Sequence, residues 1–239
     1  MPADNRAKRR YTRTAVHIPR RSRGFCNKIH EEVVEFVVFP EIPEYDLVRV
    51  CRFGSLPPVY LSEDPIDDLQ SYCGNYLKEE IQAEGVVRRI ENFSRFLEIA
   101  ALTSGDPVNI ESRASDTGVS ASTLREYMQI LEDTRVGSFL KPCKKAIHRK
   151  SVSTAKFYLF DVGVSNVLAQ RYAITEKPEQ FGKAFEHCIY NEIRAFLAYT
   201  KDNRQLTYWR DRHGHEVDFI IGDDTCIEVK STAEVVTNT

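Results

Sequence analysis

The chain has 239 residues, of which 42% are hydrophobic and 28% are charged, and its formal net charge is −2. This composition is typical of a globular protein with a substantial core. No stretch approaches the roughly 20 consecutive apolar residues that a membrane-spanning helix needs. The basic N-terminus is not followed by an apolar stretch, so it does not have the pattern of a secretory signal. We therefore expect a cytoplasmic protein with no membrane partner.

Six cysteines are scattered along the chain without a CxxC pair or the spacing of a zinc finger (Cys26, Cys51, Cys73, Cys143, Cys188 and Cys226). An even number allows three disulfide bonds in a secreted protein. Because the chain shows no secretory signal, we instead expect reduced thiols, several of them buried as small hydrophobic side chains.

Basic side chains are concentrated at the N-terminus. Residues 1–28 contain nine Lys or Arg residues and a single acid, Asp4, so the rest of the chain is acidic. A basic arm of this kind can contact phosphate groups. Low apolar content is also typical of a segment without fixed structure, and we assign residues 1–32 to a basic, disordered leader.

A helical segment is predicted for residues 33–104. It begins with a β-branched, apolar run, Val33–Phe39, which predicts a short strand without an evident pairing partner. Apolar residues then recur at intervals of three and four from Ile66 to Glu84 and again from Glu91 to Leu102. This spacing predicts two helices, each with one buried face.

Residues 105–160 have the pattern of a winged helix. Asn109–Ser115 predicts a short helix, and Gly118 can take the positive φ of a tight turn. Ser120 or Ser122 then caps a second helix with a buried apolar stripe. The segments 137–140 and 156–160 are predicted to be the strands of the wing.

Two uses of this winged helix stay open. In DNA-binding proteins the second helix enters the major groove, and the basic segment 141–150 could then meet phosphate groups. The exposed face of the second helix is mixed in charge, with Arg125 and Glu126 side by side. The same unit is equally suited to packing or to binding another protein.

The last part of the chain, residues 161–239, predicts one helix and three strands. The helix is Phe181–Tyr199, with Phe185, Ile189, Ile193, Phe196 and Leu197 on its apolar side. The strands are Gln205–Arg210, His215–Ile221 and Thr225–Lys230, and a tight turn joins the last two. The sequence therefore predicts a mixed α/β chain that ends in an αβββ module.

Three charged residues on the last two strands form the candidate catalytic site. Alternation places Asp218 on the face opposite Val217 and Phe219, and Glu228 on the same face as Lys230. Pairing across the hairpin brings the two carboxylates together with an ammonium beside them.

This group of charges has the chemistry of a metal site. Mg²⁺ prefers carboxylate oxygens, and we predict Asp218, Glu228 and Glu186 as its ligands. The metal would acidify a bound water, and Lys230 would position that water or stabilise the transition state. Charges alternating along an exposed edge strand are the simpler explanation of a Glu-x-Lys pattern taken alone.

The remaining candidates near this site have weaker patterns. His213 and His215 are expected to be solvated turn residues, although a metal-binding role is conceivable. Trp209 is expected in the core, in preference to stacking on a base.

The ordered motifs resemble one known family, the AAA-type ATPases that carry domain of unknown function 4143, in their C-terminal half. The match runs from about Pro40 to Ser231 and rests on Gly54–Tyr60, Tyr76–Ile81, Phe93–Glu98, Gly118–Arg125, Ile130–Thr134, Lys156–Val164, Gly182–His187, Glu216–Ile221 and Ile227–Ser231. The resemblance implies a helical segment after a vestigial ATPase-lid region, a winged helix, and a restriction-endonuclease-like module of the PD-(D/E)xK type.

Two departures from the family pattern shape the functional hypotheses. The chain has no GxxxxGK[ST] phosphate loop, so we predict no ATP binding or hydrolysis. Nine residues follow Lys230, too few for the helix and strand that would complete a PD-(D/E)xK core. We therefore expect a gene fragment, with a partner chain or homo-oligomer completing the open sheet as the alternative.

Three functional hypotheses follow from these motifs and departures. The first is a truncated ATPase-family protein that binds nucleic acid or protein without hydrolysing ATP. The second is a Mg²⁺-dependent DNA nuclease that uses Asp218, Glu228 and Lys230. The third is a catalytically silent module for protein interaction.

Overall fold

A computed structural model describes residues 15–17, 34–35, 46–76, 90–143 and 154–231, with the backbone alone for the first two ranges. The α-helices of the described residues are α1 (Leu47–Phe53), α2 (Pro57–Tyr60), α3 (Pro65–Ser71), α4 (Ile90–Leu102), α5 (Ile110–Thr117), α6 (Ala121–Asp133), α7 (Val162–Leu168) and α8 (Pro178–Tyr199). A π-helical turn follows α3 at Tyr72–Tyr76, and a short 3-10 helix precedes α8 at Ile174–Glu176. None of these helices is long and apolar enough to cross a bilayer.

The strands of the described residues are β1 (Ala15–His17), β2 (Val34–Glu35), β3 (Gly137–Pro142), β4 (Lys156–Leu159), β5 (Leu206–Arg210), β6 (Glu216–Ile221) and β7 (Thr225–Val229). They lie in one mixed sheet in the order β2-β1-β7-β6-β5-β3-β4. The β3–β5 pair is parallel and the other neighbouring pairs are antiparallel. The mixed α/β fold predicted from the sequence is confirmed.

The predicted helix-turn-helix is present as α5 and α6. Asn109 caps α5, and Gly118 ends it in the left-handed region at φ 70°. Of the two proposed caps of α6, Ser120 is the one used, since its hydroxyl accepts a hydrogen bond from the Thr123 N–H at 3.1 Å. Sequence spacing and turn chemistry were sufficient here because every contact is local.

The wing strands have a second role that the sequence did not indicate. They pair with each other as predicted, with Ser138 opposite Tyr158. The end of β3 also pairs in parallel with β5, through Lys141 opposite Thr207 and Pro142 opposite Tyr208. The winged helix and the last three strands therefore share one sheet.

The two N-terminal strands, β1 and β2, extend the sheet beyond β7. Ala15–His17 is a strand within the segment expected to lack structure, and His17 lies opposite Glu228 of β7. The expectation that β7 has no neighbour is therefore wrong, because β1 pairs with it at Glu228 and Val229. Within the predicted strand Val33–Phe39, the structure describes Val34–Glu35 as β2, paired with β1. The other predictions for residues 1–45 lie outside the described residues.

Helix α8 forms the core beneath the sheet, as its apolar spacing predicts. Phe185, Ile189, Ile193 and Leu197 are buried, but Phe196 is 57% exposed, so its assignment to the apolar face is wrong. The first helical prediction, Ile66–Glu84, corresponds to α3 and the π-helical turn, and its residues 77–84 lie outside the described residues. The described cysteines are buried and unbridged as expected (Cys51, Cys73, Cys143, Cys188 and Cys226).

Two glycines allow α1 and α7 to approach closely. A Cβ atom at Gly163 would lie 2.0 Å from the Phe53 carbonyl oxygen, and one at Gly54 would lie 2.0 Å from Asp161 Oδ1. The buried Asp161 carboxylate caps α7 by accepting a hydrogen bond from the Gly163 N–H at 2.8 Å, and it accepts another from the Ser55 N–H at 2.8 Å. These contacts fix the position of the β4–α7 connection, and with it the strand that carries Lys156.

Candidate functional site

A bulge in β6 sets the position of Asp218. Where β6 runs beside β5, one residue of β5, Tyr208, faces two of β6, Asp218 and Phe219, so the register shifts by one. Phe219 packs in the core under α8, whereas Val217 packs in the cluster on the other face. The prediction that Val217 and Phe219 share a face is therefore wrong, because strict alternation fails at a bulge.

Asp218 lies in an unfavourable environment for a negative charge. Its Oδ2 accepts a hydrogen bond from the Val229 N–H at 2.7 Å, which favours the ionised form. Burial nevertheless raises the pKa of Asp218 to about 7, and the charges of Glu186 and Glu228 act in the same direction, while Lys156 acts against them. Asp218 is thus within electrostatic reach of both Glu186 and Glu228, the other two carboxylates predicted as metal ligands.

The Glu-x-Lys pair of β7 forms a contact of its own. Lys230 Nζ donates to Glu228 Oε1 at 2.6 Å, which confirms that the two side chains share a face. This hydrogen bond raises the pKa of Lys230, and the charge of Asp218 contributes further. The Lys230 side chain is 60% exposed, so its ammonium lies at the surface.

The buried cation of the site is Lys156, which the sequence reasoning assigned only to a wing strand. Its Nζ lies 3.0 Å from Glu186 Oε1 and 2.6 Å from Glu216 Oε1, and 5.2 Å from the centre of the Tyr208 ring. Burial alone would lower the pKa of the Lys156 ammonium, but the two carboxylates outweigh burial and raise it. Lys156 therefore carries a positive charge inside the protein.

A sequence signal for this centre existed. Lys156 opens the apolar strand Phe157–Leu159, and a lysine in a buried strand needs acidic partners, because an unpaired buried charge is very costly. Glu216 is the first residue of β6, and the sequence pattern marked it only as the start of the segment Glu216–Ile221. The partners could not be identified from spacing, since they lie 30 and 60 residues away.

Glu186 is held by a second donor besides Lys156. The Tyr158 hydroxyl donates to Glu186 Oε1 at 2.7 Å, and the Tyr158 ring stacks on Tyr190 at 4.1 Å. Burial raises the pKa of Tyr158, and the Glu186 charge adds to this, so the hydroxyl remains a donor. The carboxylate proposed as a third metal ligand is thus already bound by an ammonium and a phenol.

The donor set fits an internal ammonium better than Mg²⁺. Among the described residues, no three His, Cys, Asp or Glu side chains converge as metal ligands would. Glu186 and Glu216 share the single positive charge of Lys156, and Glu228 pairs with Lys230. A divalent cation would have to enter beside a buried positive charge. Mg²⁺ therefore stays a prediction from the sequence pattern.

The histidines lie in the β5–β6 turn. Asp211 organises this turn by accepting hydrogen bonds from the backbone N–H groups of His213 at 2.8 Å and His215 at 3.0 Å. Its other oxygen lies 2.9 Å from His215 Nδ1. Burial would raise the pKa of Asp211, but these bonds to His215 and His213 outweigh it and lower the pKa. Both histidines are exposed as expected, whereas Trp209 is buried as expected.

The exposed surface of the helix-turn-helix is acidic. In α5 and α6 the exposed acids are Glu111, Asp116, Glu126, Glu132 and Asp133. The exposed base of these two helices, Arg125, is paired with Glu111 at 3.2 Å. A recognition helix with this charge would be repelled by a phosphate backbone.

Two family models match the chain. One, described as domain of unknown function DUF8612, matches residues 44–174, and another, domain of unknown function DUF4143, matches residues 181–239. DUF4143 is often found in AAA-ATPase-associated proteins. The resemblance predicted from the sequence is thus confirmed in part, for residues 181–239. Neither of these two families is described as a P-loop ATPase or a nuclease.

Two mycobacterial proteins are similar to the chain. They are an uncharacterized protein of Mycobacterium bovis, Mb2031c, and one of Mycobacterium tuberculosis, Rv2008c, each 25% identical over 194 residues that cover 77% of the chain. The chain spans 43% of the length of each relative. No solved structure matches it.

Proposed function

Because the chain belongs to the DUF8612 family and its last part matches DUF4143, we propose that it is an AAA-ATPase-associated binding module that does not itself hydrolyse ATP. The absence of a phosphate-loop motif in the sequence supports this proposal. The Gly-Lys pair of the chain, Gly182–Lys183, lies inside α8, where Lys183 contacts Asp106 at 3.0 Å. A lysine in that position stabilises the fold and does not belong to a phosphate-binding loop.

The observation that carries the proposal is the buried ammonium of Lys156. A metal-dependent nuclease needs carboxylates that are free to bind a cation. Here Glu186 and Glu216 already bind an internal cation that belongs to the chain. The nuclease-like centre then acts as a structural core, and the function of the chain lies in binding.

The charge of the helix-turn-helix favours a basic protein partner over nucleic acid. The exposed face of α6 carries Glu126, Glu132 and Asp133, and the strands that would form a free wing belong to the sheet. A basic peptide should therefore bind this face, and neutralising the three acids should weaken that binding.

A lysine-rich probe peptide tests the partner class by fluorescence anisotropy. We expect binding to the full chain that weakens in Glu126→Gln/Glu132→Gln/Asp133→Asn, but not in a matched control at the hairpin turn, Asp223→Asn/Asp224→Asn. Equal binding by both variants would exclude this face. Phosphate release from ATP should stay at the level of a protein-free blank.

DNA binding needs a separate control because the basic leader contributes charge. Deleting residues 1–28 would also remove β1, which pairs with β7. Deleting residues 1–14 keeps β1 and still removes five of the nine basic residues. Salt-sensitive DNA binding that survives this deletion and is lost in Arg125→Ala would favour nucleic acid over a protein partner.

A nuclease remains the second candidate, and one observation favours it. The pKa of Asp218 is raised to about 7 by burial and by the neighbouring carboxylates Glu186 and Glu228, a pattern that is common at functional sites and that a bound cation would relieve. A Mg²⁺-dependent cleavage assay on linear and branched DNA tests it. Cleavage that is lost in Lys230→Ala would support the nuclease, and unchanged cleavage in that variant would exclude the predicted site.

A further inference from the structure

The β5–β6 turn carries two exposed histidines that the proposed function does not use. Residues 212–215 are exposed, whereas Asp211 at the start of the turn is only 3% exposed. One oxygen of the Asp211 carboxylate accepts hydrogen bonds from the backbone N–H groups of His213 at 2.8 Å and His215 at 3.0 Å. This shared acceptor holds the backbones of the two histidines side by side.

The same carboxylate also fixes the ring of His215. Asp211 Oδ2 lies 2.9 Å from His215 Nδ1. An ionised carboxylate can only accept, so Nδ1 carries the proton and the lone pair of the neutral ring is on Nε2. The His215 side chain is 67% exposed, so its ring is accessible from solvent. Histidine ligands of metals are held in this way, with a carboxylate bound to the ring nitrogen that faces away from the metal.

The space beside Gly214, the residue between the two histidines, is open. Gly214 has a φ of 89°, in the left-handed region that favours glycine. In the described part of the chain, a Cβ atom added at this position would have no neighbouring atom within 4 Å. A metal ion bound by two imidazoles needs such room, because water molecules must complete its coordination shell.

The charges of the turn neither attract nor repel a cation strongly. Residues 210–216 contain two arginines and two acids, so the turn has no net charge when its histidines are neutral. Lys156, which contacts Glu216 from the neighbouring strand, is also paired with Glu186. Binding would therefore depend on the imidazole lone pairs, and nitrogen ligands of this kind favour Zn²⁺, Ni²⁺ and Cu²⁺ over Mg²⁺.

We propose that His213 and His215 form a binding site for a divalent transition metal of the Zn²⁺ class, and that Asp211 positions the ring of His215. Two imidazoles with water at the remaining positions are consistent with the lack of a converging group of three metal-binding side chains among the described residues. The site is distinct from the carboxylates around Asp218. It goes beyond the proposed partner-binding function and does not depend on it.

Calorimetric titration of the full chain with Zn²⁺ at neutral pH tests the site. We expect saturable binding of one Zn²⁺ per chain that weakens by about tenfold or more in His213→Gln and in His215→Gln, since each removes one of two protein ligands. Asp211→Asn should weaken it by about tenfold, as is usual for a carboxylate that orients a histidine ligand. The matched controls are Arg212→Gln in the same turn and Asp218→Asn, and both should bind Zn²⁺ at least as tightly as the unmodified chain. Circular dichroism verifies that the variants are folded.

Three results would overturn the proposal. The first is the absence of saturable Zn²⁺ binding by the unmodified chain, and the second is equal affinity in His213→Gln, His215→Gln and Arg212→Gln. The third is binding that is lost in Asp218→Asn but kept in both histidine variants, which would assign Zn²⁺ to the carboxylates. Unchanged affinity in Asp211→Asn would exclude the positioning role of Asp211. An equal concentration of Mg²⁺ should not displace Zn²⁺, and displacement would contradict coordination by imidazole.

Discussion

The protein contains two lysine–carboxylate groups, one around Lys156 and one formed by Lys230 and Glu228. Their shortest N–O distances are equal, but their exposure to solvent differs greatly. Lys156 approaches Glu216 to 2.6 Å, and Lys230 approaches Glu228 to the same 2.6 Å. The Lys156 side chain is 4% exposed, whereas that of Lys230 is 60% exposed. The Glu-x-Lys motif of the sequence indicates the Lys230 group. The buried Lys156 group should nevertheless contribute more to the free energy of unfolding.

Removing the buried ammonium is the change with the largest expected effect. Lys156→Met keeps the volume of the side chain but leaves Glu186 and Glu216 without their cation. We expect a loss of about 3–5 kcal/mol in the free energy of unfolding, as for other buried pairs that lose one partner. Urea denaturation measures this loss. A loss as small as that of a surface pair would show that Lys156 is not the centre of the group.

Neutralising the carboxylates should rescue that variant. In Lys156→Met/Glu186→Gln/Glu216→Gln no buried charge is left unpaired, so most of the lost stability should return. The same urea experiment measures the rescue. A triple variant no more stable than Lys156→Met would mean that packing around Lys156, and not charge, sets its contribution.

Asp218 should make stability depend on pH in a definite direction. Its pKa in the folded state is raised to about 7 from the ordinary 3.8, so its contribution is fully present below the ordinary value and is lost as pH rises through 7. Asp218→Asn removes this dependence. Its advantage over the unmodified chain should grow by up to about 1.4 kcal/mol for each pH unit between 4 and 7. Unfolding curves at pH 5 and pH 7 test it, and parallel changes would contradict it.

The titration of His187 changes stability with pH in the direction opposite to that of Asp218, over part of the same pH range. Burial lowers the pKa of His187 to about 4 from the ordinary 6.5, although the bond to the Leu159 carbonyl acts the other way. Its contribution is present above 6.5 and is lost as pH falls through 4. The unmodified chain should therefore show a shallow profile between pH 4 and 6.5, and Asp218→Asn should expose the acid sensitivity that His187 causes.

Disrupting the exposed pair of Lys230 and Glu228 should have the smallest effect on the free energy of unfolding. Lys230→Gln should change the free energy of unfolding by less than about 1 kcal/mol, because solvent and salt screen the charges. The difference should shrink further in high salt. A large, salt-independent loss would place Lys230 among the buried groups and would remove the contrast with Lys156.

Local patterns predicted most of the elements. The capped helix-turn-helix depends on contacts within a few residues, and alternation with tight turns was sufficient for β5, β6 and β7. Asp218 and Glu186, which the sequence pattern assigns to one site, lie within electrostatic reach of each other. These features depend either on contacts between residues close in sequence or on a recognisable sequence motif.

The missed features all depend on long-range pairing or on one extra residue. The bulge at Asp218 inserts a residue in β6 that no hydrophobic pattern marks. The pairing of His17 with Glu228 joins residues more than 200 positions apart. Lys156 meets Glu216 only because β3 joins the parallel pair with β5 and so carries β4 with it. Such contacts are determined by the sheet as a whole and not by any local segment.

Titration with Mg²⁺, followed by calorimetry and thermal unfolding, tests the central claim most directly. If the Lys156 ammonium already serves as the cation of the carboxylate centre, the unmodified chain should show neither stoichiometric Mg²⁺ binding nor stabilisation by millimolar Mg²⁺. Asp218→Asn and the surface control Asp223→Asn should behave alike. Stoichiometric Mg²⁺ binding that is lost in Asp218→Asn and Glu228→Gln but kept in Asp223→Asn would contradict the claim and restore the nuclease.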